Sequence, residues 1–292
     1  MAASLLKIVA AAWAAACMAA AAHAAQDAPA RRVVALGGTV TEIVYALGQG
    51  DRLVGNDLSS LYPEAATKLP RVGYYRTVPV EGVLALKPDL ILASDQAGPP
   101  DAMARLREVG VRVQVVSDQP SVRSLQDRIR QIARALDVPE RGEQLARSVD
   151  AALSAARALP ESHARSVLIM NRTGTPLGAG GGTAASLVLE LSGLVNVLAD
   201  QEGYKPLSAE ALGARAPQVI VVPRLSLDAA GGKQKLLALP GVAATPAAAN
   251  DCIVVMDDLL ALGTGPRLPQ AIRALKETDC VARAGQSPRP AG

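Results

Sequence analysis

The chain of 292 residues has no phenylalanine, one tryptophan, five tyrosines and two histidines. Any large ligand must therefore pack mostly against aliphatic side chains. Two histidines make no histidine cluster, and none of the three cysteines has zinc spacing. There is no G-x-S-x-G elbow. The glycine run Gly178–Gly182 lacks the Lys-Ser/Thr of a phosphate loop and meets Thr183 where a third motif glycine would stand, so it reads as a turn before a helix. Acid–base and nucleophilic chemistry find almost no residues here, and the chain reads as a non-enzyme. An excess of one charge is missing too: 30 Lys and Arg face 27 Asp and Glu. That near balance excludes the basic stripe of a nucleic-acid binder.

Long apolar runs are confined to the amino end. Residues 1–24 carry one cation, Lys7, then an apolar stretch, then Ala22-His23-Ala24, a small-x-small cleavage site. This is the pattern of a cleavable signal peptide, too short for a membrane span, and it predicts export to the periplasm. Cys17 lacks the usual preceding leucine of a lipoprotein signal. Cleavage leaves His163, Cys252 and Cys280, and an exported pair of cysteines suggests one disulfide, with two unpaired thiols as the alternative.

About 268 remaining residues fit two lobes. RRVVALGG, from Arg31, is a strand entering a glycine turn, followed by a helix that ends at Gly48; RSVLIMNRTG and GGTAASLVLELSG repeat the theme from Arg165 onward. A second repeat is more specific. Tyr75-Arg76, a short helix with Glu81 early in it, Pro88 and an apolar strand match Tyr204-Lys205, a helix with Glu210, Pro217 and another apolar strand, position for position. The expected fold is α/β: two similar Rossmann-like lobes with parallel sheets, residues 31–120 and 164–282. A helical connector, residues 121–163, joins them through a long rigid helix, and a disordered tail spans 283–292. Ligands of such sheets sit beyond the carboxyl ends of the strands, here in a cleft between the lobes.

Tyr74, Tyr75 and Arg76 precede the first repeated helix. A phenolate is a hard donor for ferric iron and a known axial ligand of haem. A nearby guanidinium favours the phenolate form. The alternative is that both rings simply cover the lobe's apolar edge. Glu81 and Glu210 read either as charges at helix amino ends or as matched acidic handles for a partner. Arg172 and Arg224 follow second-lobe strands and are candidates for the carboxylates of a ligand, or else solvated loop residues.

Four stretches, RVVALGGTVTEIVYALG, VGYYRTVPVEGVLALKPDLILAS, YKPLSAEALGARAPQVIVV and LGTGPRLPQAIRAL, resemble the periplasmic haem-binding proteins of bacterial ABC-type haem importers. These belong to the helix-linked class of binding proteins that also serves cobalamin and ferric siderophores. The resemblance covers nearly all of the chain after the signal peptide. It implies haem as transported ligand, iron ligated by Tyr74 alone, and Arg76 in support. It also implies docking of Glu81 and Glu210 on an inner-membrane permease dimer. A monomer is expected, with an outer-membrane haem receptor acting upstream. Two departures stand out: Tyr75 where relatives often have Met, and Gly263-Thr264-Gly265-Pro266-Arg267 in place of a more usual Gly-Phe-Gly-Pro-Arg. Cobalamin or a ferric siderophore is the runner-up cargo. A chelatase, or a haem-sensing module without a transporter, represents the other classes.

Overall fold

The computed structural model describes residues 30–171 and 176–286. The signal-peptide segment, Arg172 and residues 287–292 lie outside the described residues.

In the first lobe four parallel strands form one sheet in the order β2-β1-β3-β4: β1 Val33–Leu36, β2 Leu53–Asn56, β3 Leu90–Ser94 and β4 Arg112–Val116. Every residue of β1 and β3 is buried, as expected of strands covered on both faces. The flanking helices are α1 Gly38–Ala46, α2 Val80–Ala85 and α3 Pro100–Glu108, with one further helical turn at Glu64–Thr67. The connector holds two helices, α4 Val122–Ala135 and α5 Pro139–Arg157, packed on each other. Ser121 caps α4 through its hydroxyl, and Pro139 opens α5 at a position that needs no N–H donor. Nineteen residues make α5 about 28 Å long, and it packs against a second-lobe helix, Leu268–Lys276.

The second lobe repeats the parallel core with β5 Arg165–Met170, β9 Val219–Pro223 and β10 Ile253–Met256, and a short β7 Val195–Asn196 beside β5. It departs from the expected all-parallel sheet by adding β6 Leu177–Ala179 and β8 Tyr204–Pro206, both antiparallel. The physical reason is chain length. Only six residues separate the end of β5 from the start of β6, too few for a parallel crossover. Its helices are α6 Ala184–Leu191, α7 Ala209–Arg215, α8 Arg224–Ala229, α9 Lys233–Leu237, α10 Pro240–Ala243, α11 Asp258–Leu262, α12 Leu268–Lys276 and α13 Asp279–Ala284, with one further helical turn at Pro246–Ala249.

The repeat of helix, proline and strand is present as α2–β3 and α7–β9. Its aromatic–cation element differs: Tyr75 and Arg76 lie in a 3-10 turn, whereas Tyr204 and Lys205 lie in edge strand β8. Among the described residues, only the second lobe has a hairpin strand for that segment to pair with. One buried apolar cluster runs from Val33 and Leu90 through Leu125, Ile129 and Leu153 to Leu168, Val221 and Ile272. The connector therefore shares a core with both lobes, and hinge motion would have to open that core. Cys252 and Cys280 are bonded, with Cα atoms 5.4 Å apart, which pins α13 beside β10. Arg283 and Ala284, placed in the tail on sequence, complete α13, and Gln218 donates to the Ala284 carbonyl.

Candidate ligand-binding cleft

Beyond the carboxyl ends of both sheets lies a cavity of about 570 Å³, within the ~300–1,000 Å³ usual for small-molecule and cofactor sites. The first lobe supplies Leu58, Tyr74, Tyr75, Arg76 and Asp118, and the second supplies Met170, Tyr204, Leu225 and Leu262. Its walls gather Leu58 (54% exposed), Leu225 (45%), Tyr74 and Tyr204, half of the large apolar side chains that the described surface exposes. Exposed apolar groups converging on one concavity mark a binding site.

The Tyr74 loop is built by its backbone. Gly73 has φ 89°, a left-handed conformation that a side chain would strain. This turn delivers Tyr74 to the start of the 3-10 turn Tyr75–Thr77. Leu58 N–H donates to the Gly73 carbonyl at 2.8 Å, Gly98 N–H to Tyr75 at 2.9 Å and Val78 N–H to Gly98 at 2.7 Å. The loop is thereby tied to two neighbouring segments.

The two phenols part company. Tyr74 is 39% exposed toward the cleft, while Tyr75 is 9% exposed and belongs to the apolar cluster under α2 and α3. Their rings meet edge to face, with centroids 4.9 Å apart. Burial pushes the Tyr75 phenol well above its ordinary value; the neighbouring Tyr74 and Asp118 add to the rise, and Arg76 only partly opposes it. Burial thus disfavours the Tyr75 phenolate. The Arg76 guanidinium lies 5.1 Å from the Tyr75 ring centroid and donates to Gln96 at 3.0 Å. Burial disfavours its charge, but Tyr75 and Tyr74 outweigh that and hold it above its usual range.

Two ion pairs that sequence reasoning missed close the floor between the lobes. Arg128, on α4, has a fully buried side chain. It pairs with Asp118 at 2.9 Å and donates to Ser117, Thr39 and the Thr264 carbonyl of the second lobe. Burial raises Asp118 against the lowering pull of Arg128, and burial lowers Arg128. Beside this pair, Arg267 bonds Glu42 of α1 at 3.2 Å and Asp257 at 3.3 Å, and its guanidinium stacks 3.5 Å from the Tyr62 ring centroid. Burial raises the Glu42 carboxyl even though Arg267 pulls it down. The segment Gly263–Arg267, which lacks the usual aromatic, is thus one contact between the lobes. The partners are 225 and 136 residues apart in the chain, and no local pattern signals them.

Arg224 is exposed at the start of α8 and does not line the cavity, although Leu225 beside it does. Arg172 lies outside the described residues. Glu81 and Glu210 are exposed in the first turns of α2 and α7, one on each lobe. Among the described residues no group of three or more His, Cys, Asp or Glu could hold a metal ion. Among them too, no helix is long and apolar enough to cross a membrane.

Two sheets with facing carboxyl ends, a helical connector and an aliphatic cleft define a two-lobed solute-binding protein. Residues 33–260 match the periplasmic binding protein family, and the chain belongs to it. The periplasmic haem-binding protein RhuT of Roseiflexus sp. RS-1, in apo form, is 38% identical, with a TM-score of 0.83 over 88% of this chain and 99% of that one. The periplasmic haem-binding protein BhuT, solved with two haems, is 39% identical, with a TM-score of 0.81 over 87% and 98%. A vitamin B12-binding protein of Vibrio vulnificus (strain YJ016) is 32% identical over 199 residues, 68% of this chain and 72% of its own. The protein is a periplasmic substrate-binding protein of the haem/B12 class, serving an ABC transport system. These relatives are binding proteins, not enzymes.

Proposed function

We propose that the protein captures ferric haem in the cleft, with the Tyr74 phenolate as the single protein ligand of iron, and delivers it to its ABC transporter. The observation that carries this reading is the division of labour between adjacent phenols. Tyr74 is the more exposed of the two and enters the aliphatic cavity next to the Arg76 cation, while Tyr75, which also lines the cavity, is mostly buried against the first-lobe cluster, where burial disfavours its phenolate. Capture is binding, not turnover. Leu58, Leu225, Met170 and Leu262 cover the porphyrin faces, the Tyr74 oxygen meets iron, and Arg76 favours the phenolate. The solved neighbours at 38% and 39% identity are haem-binding proteins, which supports haem over the alternative.

That alternative is cobalamin in the same cleft, favoured by the vitamin B12-binding relative at 32% identity. Its cobalt would not need a phenolate beside a cation. The remaining steps belong to the same reading. The chain is exported on residues 1–24, works as a monomer downstream of an outer-membrane haem receptor, and docks Glu81 and Glu210 on the two halves of a permease dimer.

The test is titration with haemin and, separately, with cyanocobalamin, on the wild type and on Tyr74→Ala. A saturable tyrosinate-type ferric spectrum that Tyr74→Ala loses is the expected result. Saturable cyanocobalamin binding without a haemin spectrum would overturn the haem reading and leave the binding class intact.

A further inference from the structure

The second lobe has a pocket that the cleft does not use. It is about 220 Å³, and its walls include Leu212 of α7, Val222 of β9, Leu236 of α9 and Leu239. Ser226 of α8 also lines it, 1% exposed, with an oxygen that has no hydrogen-bond partner. A buried hydroxyl without a partner is costly and points to a missing one. Ala209, at the pocket's edge, immediately precedes the exposed Glu210. Leu239 is itself partly exposed, so an apolar rim reaches the surface near that carboxylate. In the first lobe the corresponding helix α2 lies in a cluster that buries Val78, Val83 and Met103.

We propose that this pocket receives one aromatic side chain with a polar tip, a tyrosine or tryptophan, from the permease surface that meets Glu210. The proposal rests on the docking role given to Glu210 above. Size, polarity and charge each constrain the occupant. An apolar cavity of about 150 Å³ already holds benzene, so this one accommodates a phenol or an indole. The Ser226 oxygen requires a donor or acceptor at the far end, which an aliphatic side chain lacks. Glu210 at the edge calls for a cation next to the aromatic residue. Tyrosine, tryptophan and arginine are the residue types that dominate interface energies, and a pocketed aromatic is the usual form of such an anchor.

Two variants fill the pocket from successive turns of α8, Ser226→Leu and Ala230→Leu. Both are expected to bind haemin as the wild type does. Both are expected to lower import by at least tenfold, as Glu210→Ala does, in cells whose only copy is the variant. Purified wild type should bind 4-methylphenol saturably by NMR, and Ser226→Ala should bind it at least threefold more weakly. Normal import by a filled variant, with import lost in Glu210→Ala, would overturn the proposal and leave the docking role standing. Normal import in Glu81→Ala and Glu210→Ala as well would remove the docking role and this anchor with it. Saturable 4-methylphenol binding in the wild type with undiminished import by the filled variants would make the pocket a small-molecule site and overturn the proposal.

Discussion

Replacing Arg267 with methionine tests the junction between the lobes. At 3.2 Å, and with an effective dielectric near 20, the attraction to Glu42 is about 5 kcal/mol. Taking both ions out of water offsets several kcal/mol of that, so the intact pair contributes little net stability. Breaking it is another matter. Glu42 has 4% of its side chain exposed, and Arg267→Met leaves its carboxylate buried without its main counter-charge, which costs about 3–5 kcal/mol. For a chain of this size that is a fall in Tm of roughly 10 °C. Glu42→Gln added to Arg267→Met removes the stranded charge while keeping an acceptor for the Arg267 backbone N–H, which donates to Glu42 at 3.0 Å. The double variant should recover to within about 1 kcal/mol of wild type, a coupling that a double-mutant cycle reads directly.

The pH dependence carries a defined sign. Burial already raises Glu42 above the ordinary 4.5, and losing Arg267 removes the group that pulls it down. A carboxyl with a raised folded-state pKa makes the folded chain hold the extra proton, so stability falls as pH rises from about 4.5 through the folded value. The deficit of Arg267→Met should therefore shrink on acidification toward pH 4.5, and the double variant should show no such recovery. Urea unfolding at pH 7 and pH 5 measures both effects. A single-variant loss below about 1 kcal/mol, or a double variant no better than the single, would refute the idea that a buried pair joins the lobes.

Three further expectations follow from the cleft and its supports. Tyr75→Phe should keep the haemin spectrum of the wild type, whereas Tyr74→Phe should lose the tyrosinate band; the reverse result would move the ligand by one residue. Leu58→Ala and Leu225→Ala should each weaken haemin binding about fivefold without changing Tm, since each wall leucine leaves half its surface for the ligand to cover, about 1 kcal/mol of burial. Equal affinity in both variants would place the ligand elsewhere. Changing Cys252 and Cys280 together to serine should destabilise the chain by about 3.5 kcal/mol, from the closure entropy of a loop of 28 residues, measured by urea unfolding against the oxidised wild type.

Much of the architecture was legible along the chain because its causes are local. Continuous apolar runs such as Val33–Leu36 and Leu90–Ser94 become doubly covered strands, and Pro88 and Pro217 mark where the repeated helices end. The tyrosine pair, the early glutamates and the glycine before Tyr74 announce a loop with a purpose, since adjacent aromatics are conspicuous in a chain with so few. The two connector helices also follow from patterns within a few tens of residues, whereas the strand order of the first lobe, which pairs Val33 with Leu90, does not.

What depends on distant segments meeting could not be read that way. Tyr74 and Tyr75 are identical neighbours in sequence, and only the packing of the loop beneath α2 and α3 decides which of the two cleft-lining phenols is desolvated and which is left exposed. Arg128 and Arg267 look like ordinary helix and loop cations until the folded lobes bury them against Thr264 and Glu42, more than a hundred residues away. Arg224 follows a strand end as expected, yet Leu225, one residue on, is the side chain that reaches the cavity. Sequence period sets which residues can be helix, strand or turn; burial, charge pairing and the choice of ligand atom arise only when two lobes close on one another, because desolvation is a property of the assembled surroundings and not of the residue.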